Sequence, residues 1–352
     1  MTKTDIFYRT VALRNFKSQI GYAVSNFNTI IVGLSAVKAG TANKPDDLAV
    51  GWSGNKPEYL AMEARHFATK ALLVYAVDSL DKYTETIALF PSPISDQLLR
   101  DLLLGVPQPT ASASTFLPAD ELAELTTAIS NGAPNQILAS ISKIHSEHGE
   151  KRRPAHIRTR LNSLAASFRG SPDYYLAAVR LLVSWRNRHV HQSDEVISET
   201  DRSALLQYSG IFQTDHSGTD ISLTLQHYED RKKGPTIKDV STLVSVLQRV
   251  IGGIDERIVE TLDLTAYAQS ALRQTFKDTA NARQRFDSLW GSDRDTRQRK
   301  LTVYLRNFGF QPAIPGSKKP GRQLPQQFFD ELFNLDKSDA AAYVGLKLDH
   351  VD

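Results

Sequence analysis

Phe16, Ile20, Val24, Phe27, Ile31 and Leu34 recur at spacings of three and four, the period that puts side chains on one face of a helix. The stretch NFKSQIGYAVSNFNTIIVGLSAVKAG is therefore predicted to be a long amphipathic helix closed by Gly40. Pro57 presets the first turn of a second, PEYLAMEARHFATKALLVYAVDSLDKYTETIALF, with Leu60, Ala64, Phe67, Ala71 and Val74 as its inward row. The two are expected to lie antiparallel. Shorter helices are predicted in PADELAELTTAIS and PNQILASISKIHSEHG, and SPDYYLAAVRLLV reads as a helix burying one face. Further on, Ile221, Leu223 and Leu225 alternate behind an Asp-His-Ser-Gly turn signal, which predicts a small β-hairpin. Thr236 and Asp239 have the spacing of a capping box. Behind them Val240, Leu243, Val244, Leu247, Val250, Ile251 and Ile254 form the strongest helical stripe in the chain.

The pattern is that of a mostly all-α protein. Pro91, Pro93, Pro107, Pro109 and the run TASAST make 91–118 a loop-rich insertion after one short helix. Beyond about residue 258 the texture changes to short helical pieces, a basic run and the proline-rich QPAIPGSKKPGRQLP. A helical domain over 1–258 and a small basic helical domain over 259–352 are the expected organisation.

Composition narrows the chemistry. The 352 residues are 41% hydrophobic, enough for a sizeable core, and include no cysteine; disulfides, thiolate metal sites and a cysteine nucleophile are excluded, and a reducing cytoplasm is the expected setting. The first residues lack a basic segment leading into an apolar one, and no apolar run of about 18 residues is read later; a soluble, unprocessed chain is expected, with no membrane partner. A net charge of +3 is too small to name a partner. No Walker loop, Gly-x-Gly-x-x-Gly or His-Glu-x-x-His occurs. His145 and His148, with Glu147 or Glu150, have a metal-ligand spacing but no further ligands to complete it, so they read as solvent-facing. No metal or cofactor is expected.

One stretch stands out. The apolar helix that starts at SPDYY ends in SWRNRHVH, where Arg186, Asn187, Arg188, His189 and His191 interrupt the apolar face. Histidine exchanges protons near neutral pH. Arginine stays charged and its planar fork can hold two phosphate oxygens. At about 100° per residue Asn187 and His191 lie within about 40° of each other, whereas Arg186 and His191 are about 140° apart. Arg186 must therefore reach around, or the helix must end near the motif. The plain alternative is a solvated helix terminus whose Arg and His favour the negative end of the helix dipole.

Arg186-Asn187-x-x-x-His191, in this helical context over residues 5 to 258, resembles the signature of the HEPN superfamily, helical bundles that include many RNA-cleaving enzymes: Arg, commonly followed by Asn, His or Asp, then His after four to six residues. Four residues intervene here. The resemblance implies an HEPN-like bundle acting as a metal-independent endoribonuclease of a toxin or antiviral-defence type. The RNA's own 2′-hydroxyl would be the nucleophile and a 2′,3′-cyclic phosphate the product, with Arg186, Asn187 and His191 as catalytic residues. It also implies a homodimer sharing two motifs across a composite cleft, and an inhibitor or antitoxin partner to restrain it. Glu63, near where such enzymes carry an acidic residue, is a candidate support; His189, three residues after Arg186, is another, and Asp78, one helical turn after Val74, is a candidate buried partner for an arginine.

Two basic regions are candidates for holding RNA. Lys151, Arg152, Arg153, Arg158 and Arg160 precede the motif helix. Residues 283–322 hold ten cations against three aspartates, a local net of +7, and Arg297, Arg299, Lys300, Lys318, Lys319 and Arg322 are the candidate phosphate contacts. Phe286, Trp290, Tyr304, Phe308 and Phe310 are interleaved with them, as a stacking surface or as the core of the small domain. The functional alternative to an enzyme is a non-catalytic RNA-binding or protein-interaction bundle.

Overall fold

A computed structural model describes residues 6–47, 54–89, 156–231, 234–277, 281–307, 309–312 and 326–346, with a few isolated positions between them. Among these, thirteen helices and one short ladder of strands occur, so the chain is all-α apart from that ladder. The helices predicted over 118–149, the histidines of HSEHGE, and most of 91–118 lie outside the described residues; within the last, Leu98 and Leu102 are helical and buried. The chain divides into two compact units, and the division is not a sequential one at residue 258. One unit is Phe16–Asp81 with Ser171–Gly252; the other is Met1–Asn15, Lys82–Gly170 and Gly253–Asp352.

Helix α1 (Val11–Lys38) and helix α2 (Pro57–Leu89) each contribute to both units. Phe16, Ile20 and Phe27 of the predicted α1 stripe are buried, while Val24, Ile31 and Leu34 are half-buried. Contrary to the sequence reading, an 18-residue stretch of α1 does reach the length and apolarity of a membrane-crossing segment, with a mean hydropathy of 1.4 and 11% of it buried. Core helices and leader segments share this property. On α2 the predicted inward row is displaced. Ala61, Ala68, Leu72, Leu73, Ala76, Val77 and Leu80 are buried, whereas Phe67 is 76% exposed. Apolar residues occur nearly all round this helix, so spacing alone does not single out a face.

Helix α3 (Ile157–Ser167) belongs to the second-named unit, where its Arg160 is buried and lies 3.9 Å from Glu85. Helix α4 (Asp173–His191) is central to the unit of Phe16–Asp81 and Ser171–Gly252. From Tyr175 to Trp185 every residue but Arg180 is buried, so it buries all sides and not the single face expected. Arg180 turns to Asp201 on helix α5 (Glu199–Gln207), Nε donating at 2.9 and 3.0 Å and Nη2 at 2.5 Å. A two-pronged pair of this kind fixes α5 on α4.

Where the hairpin was expected, the structure has helix α6 (Ser209–Asp215) and helix α7 (Ile221–Glu229). Asp220 decides it: its carboxylate accepts from the backbone N–H of Ser222 at 2.9 Å and of Leu223 at 3.2 Å, a helix cap no strand would use. Ile221, Leu225 and Tyr228 are then buried at helical spacing and Leu223 is exposed. Helix α8 (Ile237–Thr261) begins as predicted: Asp239 accepts from Thr236 N at 2.8 Å and Thr236 Oγ1 accepts from Asp239 N at 3.2 Å. Every residue of its predicted stripe is buried.

In the other unit, strand β1 (Ile6–Tyr8) pairs antiparallel with strand β2 (Phe310–Pro312), Phe7 opposite Gln311. Arg9 N donates to Gly309 O at 3.3 Å. Gly309 has φ +100°, and a Cβ there would stand 1.8 Å from Arg9 O, so only glycine fits. Thr10 caps α1, its Oγ1 accepting from Leu13 N at 3.1 Å. Buried Asp255 of α8 receives Thr10 N at 3.0 Å, the Thr10 hydroxyl, and Tyr83 OH at 3.3 Å. This puts an anion at the positive end of α1. Burial and the nearby Asp255 carboxylate push the Tyr83 phenol well above its ordinary value.

Helices α9 (Leu264–Lys277), α10 (Ala282–Trp290), α11 (Arg294–Asn307), α12 (Gln326–Asn334) and α13 (Lys337–Val344) complete this unit. Phe286 and Trp290 stack with centroids 4.7 Å apart and Phe276 meets both edge-on. With Phe310 these rings are buried. They form a core and not a stacking surface; Phe308 lies outside the described residues.

Candidate active site

Helix α4 ends at His191 because Gln192 adopts a left-handed conformation, φ 51° and ψ 33°. The last turn is where the arginine and the histidine of the motif meet. Arg186 Nη1 lies 2.7 Å from His191 Nε2. A guanidinium can only donate, so Nε2 is the acceptor and the ring proton sits on Nδ1. The 140° separation of an ideal helix is overcome by the length of the arginine side chain at a helix end. One chain thus brings both groups together, and the geometric reason for requiring a second motif falls away.

The arginine is held from behind. Its Nη2 donates to Asp78 Oδ1 of α2 at 3.2 Å; the arginine side chain is 23% exposed and the aspartate 53%. Nε of Arg186 is buried with no hydrogen-bond partner. Asp78 therefore takes the supporting place expected of Glu63. Glu63 is exposed, fifteen residues earlier on α2, about 22 Å away at 1.5 Å per residue.

Asn187 reaches toward Glu195 and Arg186. It is buried, its Nδ2 donates to Glu195 Oε2 at 3.1 Å, and its Oδ1 is 3.5 Å from Arg186 Nη1, the outer limit of a hydrogen bond. Glu195 belongs to the loop after α4, which Arg188 and Tyr228 pin in place. Tyr228 OH and Arg188 Nη2 donate to Glu195 O at 2.6 and 3.2 Å, and Arg188 also donates to Tyr228 O while lying over the Tyr228 ring at 3.9 Å. Neither Glu195 nor this anchoring role of Arg188 was found from the sequence, since a loop contact carries no periodic signal. His189 makes no bond to Arg186. Burial, with Lys70 and Arg188 nearby, pulls its pKa below the ordinary histidine value, and its buried Nε2 has no hydrogen-bond partner.

No family model, curated protein or solved structure matches the chain.

What remains is a compact arrangement at an exposed helix end: a histidine with an acceptor nitrogen, a fixed cation, and a carboxylate bracing the cation. Such a set can take a proton and neutralise an oxyanion in one place.

The candidate RNA contacts fall elsewhere. Arg297 is internal: Nη1 donates to Phe333 O and Leu335 O at 3.2 and 3.0 Å, and Nη2 to Trp290 O and Ser292 O at 3.1 and 3.3 Å. Such a guanidinium ties α10, α11 and α12 together and is not offered to a phosphate. Arg299 is exposed and donates to Thr296 Oγ1 at 3.1 Å; Lys300 Nζ donates to Ser288 O at 2.9 Å. Lys318, Lys319 and Arg322, with Lys151, Arg152 and Arg153, lie outside the described residues.

Proposed function

We propose that the chain is a metal-independent endoribonuclease of HEPN type. The observation carrying this reading is the 2.7 Å approach of Arg186 Nη1 to His191 Nε2 with Asp78 behind the guanidinium. When RNA enters, its phosphate takes over the Nη1 hydrogen bond and Nε2 is freed. The 2′-hydroxyl then gives its proton to His191 Nε2 as the 2′-oxygen bonds to phosphorus, and Arg186 neutralises the phosphorane oxygens. The bond from phosphorus to the 5′-oxygen breaks, and that oxygen leaves with a proton from solvent or a second histidine. The products are a 2′,3′-cyclic phosphate and a 5′-hydroxyl; DNA, without the 2′-hydroxyl, is spared.

A homodimer suits this reading, now on a different ground. Phe67 and Asp78 lie within about 20° on α2. Exposed Tyr75, Val190 and Val196, near Asp78 and the motif in sequence, leave apolar surface, and exposed Phe67 extends it about 16 Å along α2, as a two-fold contact would use. A nuclease with so exposed a site requires restraint in the cell that makes it, so an inhibitor or antitoxin partner and a role as a cytoplasmic toxin or defence effector go with the proposal.

Mixed RNA incubated with the protein in EDTA tests it. Cleavage to 2′,3′-cyclic phosphate ends, lowered by about 10² or more in His191→Ala and Arg186→Ala with the fold retained, is the expected result. Because Arg186 is already engaged within the fold by Asp78 and His191, a non-catalytic bundle with a structural arginine is the competing reading. No cleavage would favour it over ours, and equal cleavage in all three proteins would remove Arg186 and His191 from the site.

A further inference from the structure

Between α10 and α11 lies a cleft of about 830 Å³ remote in sequence from the motif. Arg285, Arg299 and Lys300 supply its charge, and Leu289, Val303 and Tyr304 its apolar floor. Among the described residues no carboxylate lines it. Asp287 of α10 pairs with Lys337 at 2.8 Å, Asp293 just before α11 accepts from Thr296 N at 2.9 Å, and Asp295 of α11 is not among the lining residues. Arg285 is exposed and has no hydrogen-bond or ion-pair partner among the described residues. Val303 is exposed on α11, whose Leu301 and Leu305 are buried. A cation set beside an apolar floor that includes one aromatic ring matches a ligand with both a phosphate and a flat hydrophobic face. The volume is near the top of the range for small-molecule sites, roughly 300–1,000 Å³, and three cations exceed the need of one diester.

We infer that this cleft binds single-stranded RNA, phosphates on Arg285, Arg299 and Lys300 and a base against Val303 and Tyr304, as a capture site separate from the cleavage site. The phosphorylated base follows from the lining; the choice of RNA rests on the ribonuclease reading. The experiment therefore reads binding and uses the full chain carrying His191→Ala, so that the RNA stays intact. A labelled single-stranded oligoribonucleotide is titrated by fluorescence anisotropy over a salt series. Adding Arg285→Ala and Arg299→Ala together should weaken binding about tenfold or more and lower the slope of log K against log salt by about 1.4, at about 0.7 per lost contact. Val303→Glu, at an exposed position that the core does not need, should weaken it comparably. Thermal melts confirm that these surface variants fold.

AMP should displace the RNA at about tenfold lower concentration than inorganic phosphate, since a stacked base contributes on the order of 1–3 kcal/mol. Binding and slope unchanged in the variants would overturn the inference. So would AMP competing no better than phosphate, AMP binding as tightly as the strand, or an acidic peptide of equal charge displacing the RNA equally. A chain that binds here but never cleaves removes the ribonuclease reading and leaves this site. One that cleaves while the variants bind normally does the reverse.

Discussion

Arg297 stands inside the basic run yet serves the fold, and replacing it with lysine tests this directly. Lysine keeps the charge, so a phosphate contact would largely survive. It cannot reproduce a fork that donates to four carbonyls from α10, α12 and the turns beside them. Hydrogen bonds from a charged donor contribute about 1.5–3 kcal/mol each. A lysine ammonium can satisfy two of the four carbonyls, leaving two in part unsatisfied, so Arg297→Lys should cost about 3–5 kcal/mol. Arg297→Ala should cost at least as much. At about 2–4 °C per kcal/mol for a unit of this size, the expected fall in melting temperature is about 6–20 °C. Differential scanning calorimetry of the full chain measures it, and the salt dependence of RNA binding by whatever remains folded should keep its slope. A lysine variant that melts like the wild type, or an alanine variant that melts normally but binds RNA with a reduced salt slope, would refute the structural role.

Asp78→Asn should change stability by less than about 1 kcal/mol, as expected for a half-exposed pair, but lower RNA cleavage by roughly tenfold because Arg186 loses its brace; unaltered cleavage would show that Asp78 positions nothing. Burial, with Arg249 next in effect, pulls His216 below the ordinary histidine value, where it sits against Tyr175, Arg249 and Asp215. The unfolded chain then binds this proton more readily, so the contribution is complete above the unfolded value near 6.5 and declines as pH falls from there through the lower folded value. Denaturant titrations should show that decline in the wild type and less of it in His216→Gln, and identical profiles would exclude His216 as its source. Mixing His191→Ala chains with Arg186→Ala chains should restore part of the cleavage if a dimer shares its cleft; no recovery despite subunit exchange would leave each motif working alone or needing both copies intact.

The parts legible in the sequence are those where several local signals agree. For α8, a capping box, a stop to the preceding loop and an unbroken apolar stripe all point the same way. On α2 there was only spacing, on a helix apolar nearly all round, and the buried row was misplaced. The hairpin was read from three alternating residues, and a single aspartate cap outweighed them. At the site, Arg186 and His191 were visible as residue types, but ideal helix geometry set them apart because it ignores side-chain reach at a helix end. Glu195 required tertiary structure; Asp78 was legible as a partner for an arginine, but as a buried one, and it is half-exposed beside Arg186. A count of charges likewise cannot separate Arg297, spent on carbonyls, from Arg285 at the cleft.

The pairing of β1 with β2 also sets an order of events during synthesis. Every residue of the unit that carries Arg186 and His191 has been made once Gly252 is added. The other unit must wait for Asp255 to hold Thr10, and then for Phe310–Pro312 to receive the strand made near the start. Those sixty further residues take about 3–12 s at about 5–20 residues per second. During that interval the unit carrying Arg186 and His191 can be assembled while Ile6–Tyr8 still lacks its β2 partner, so the strand made earlier waits with an unpaired edge for the one made later.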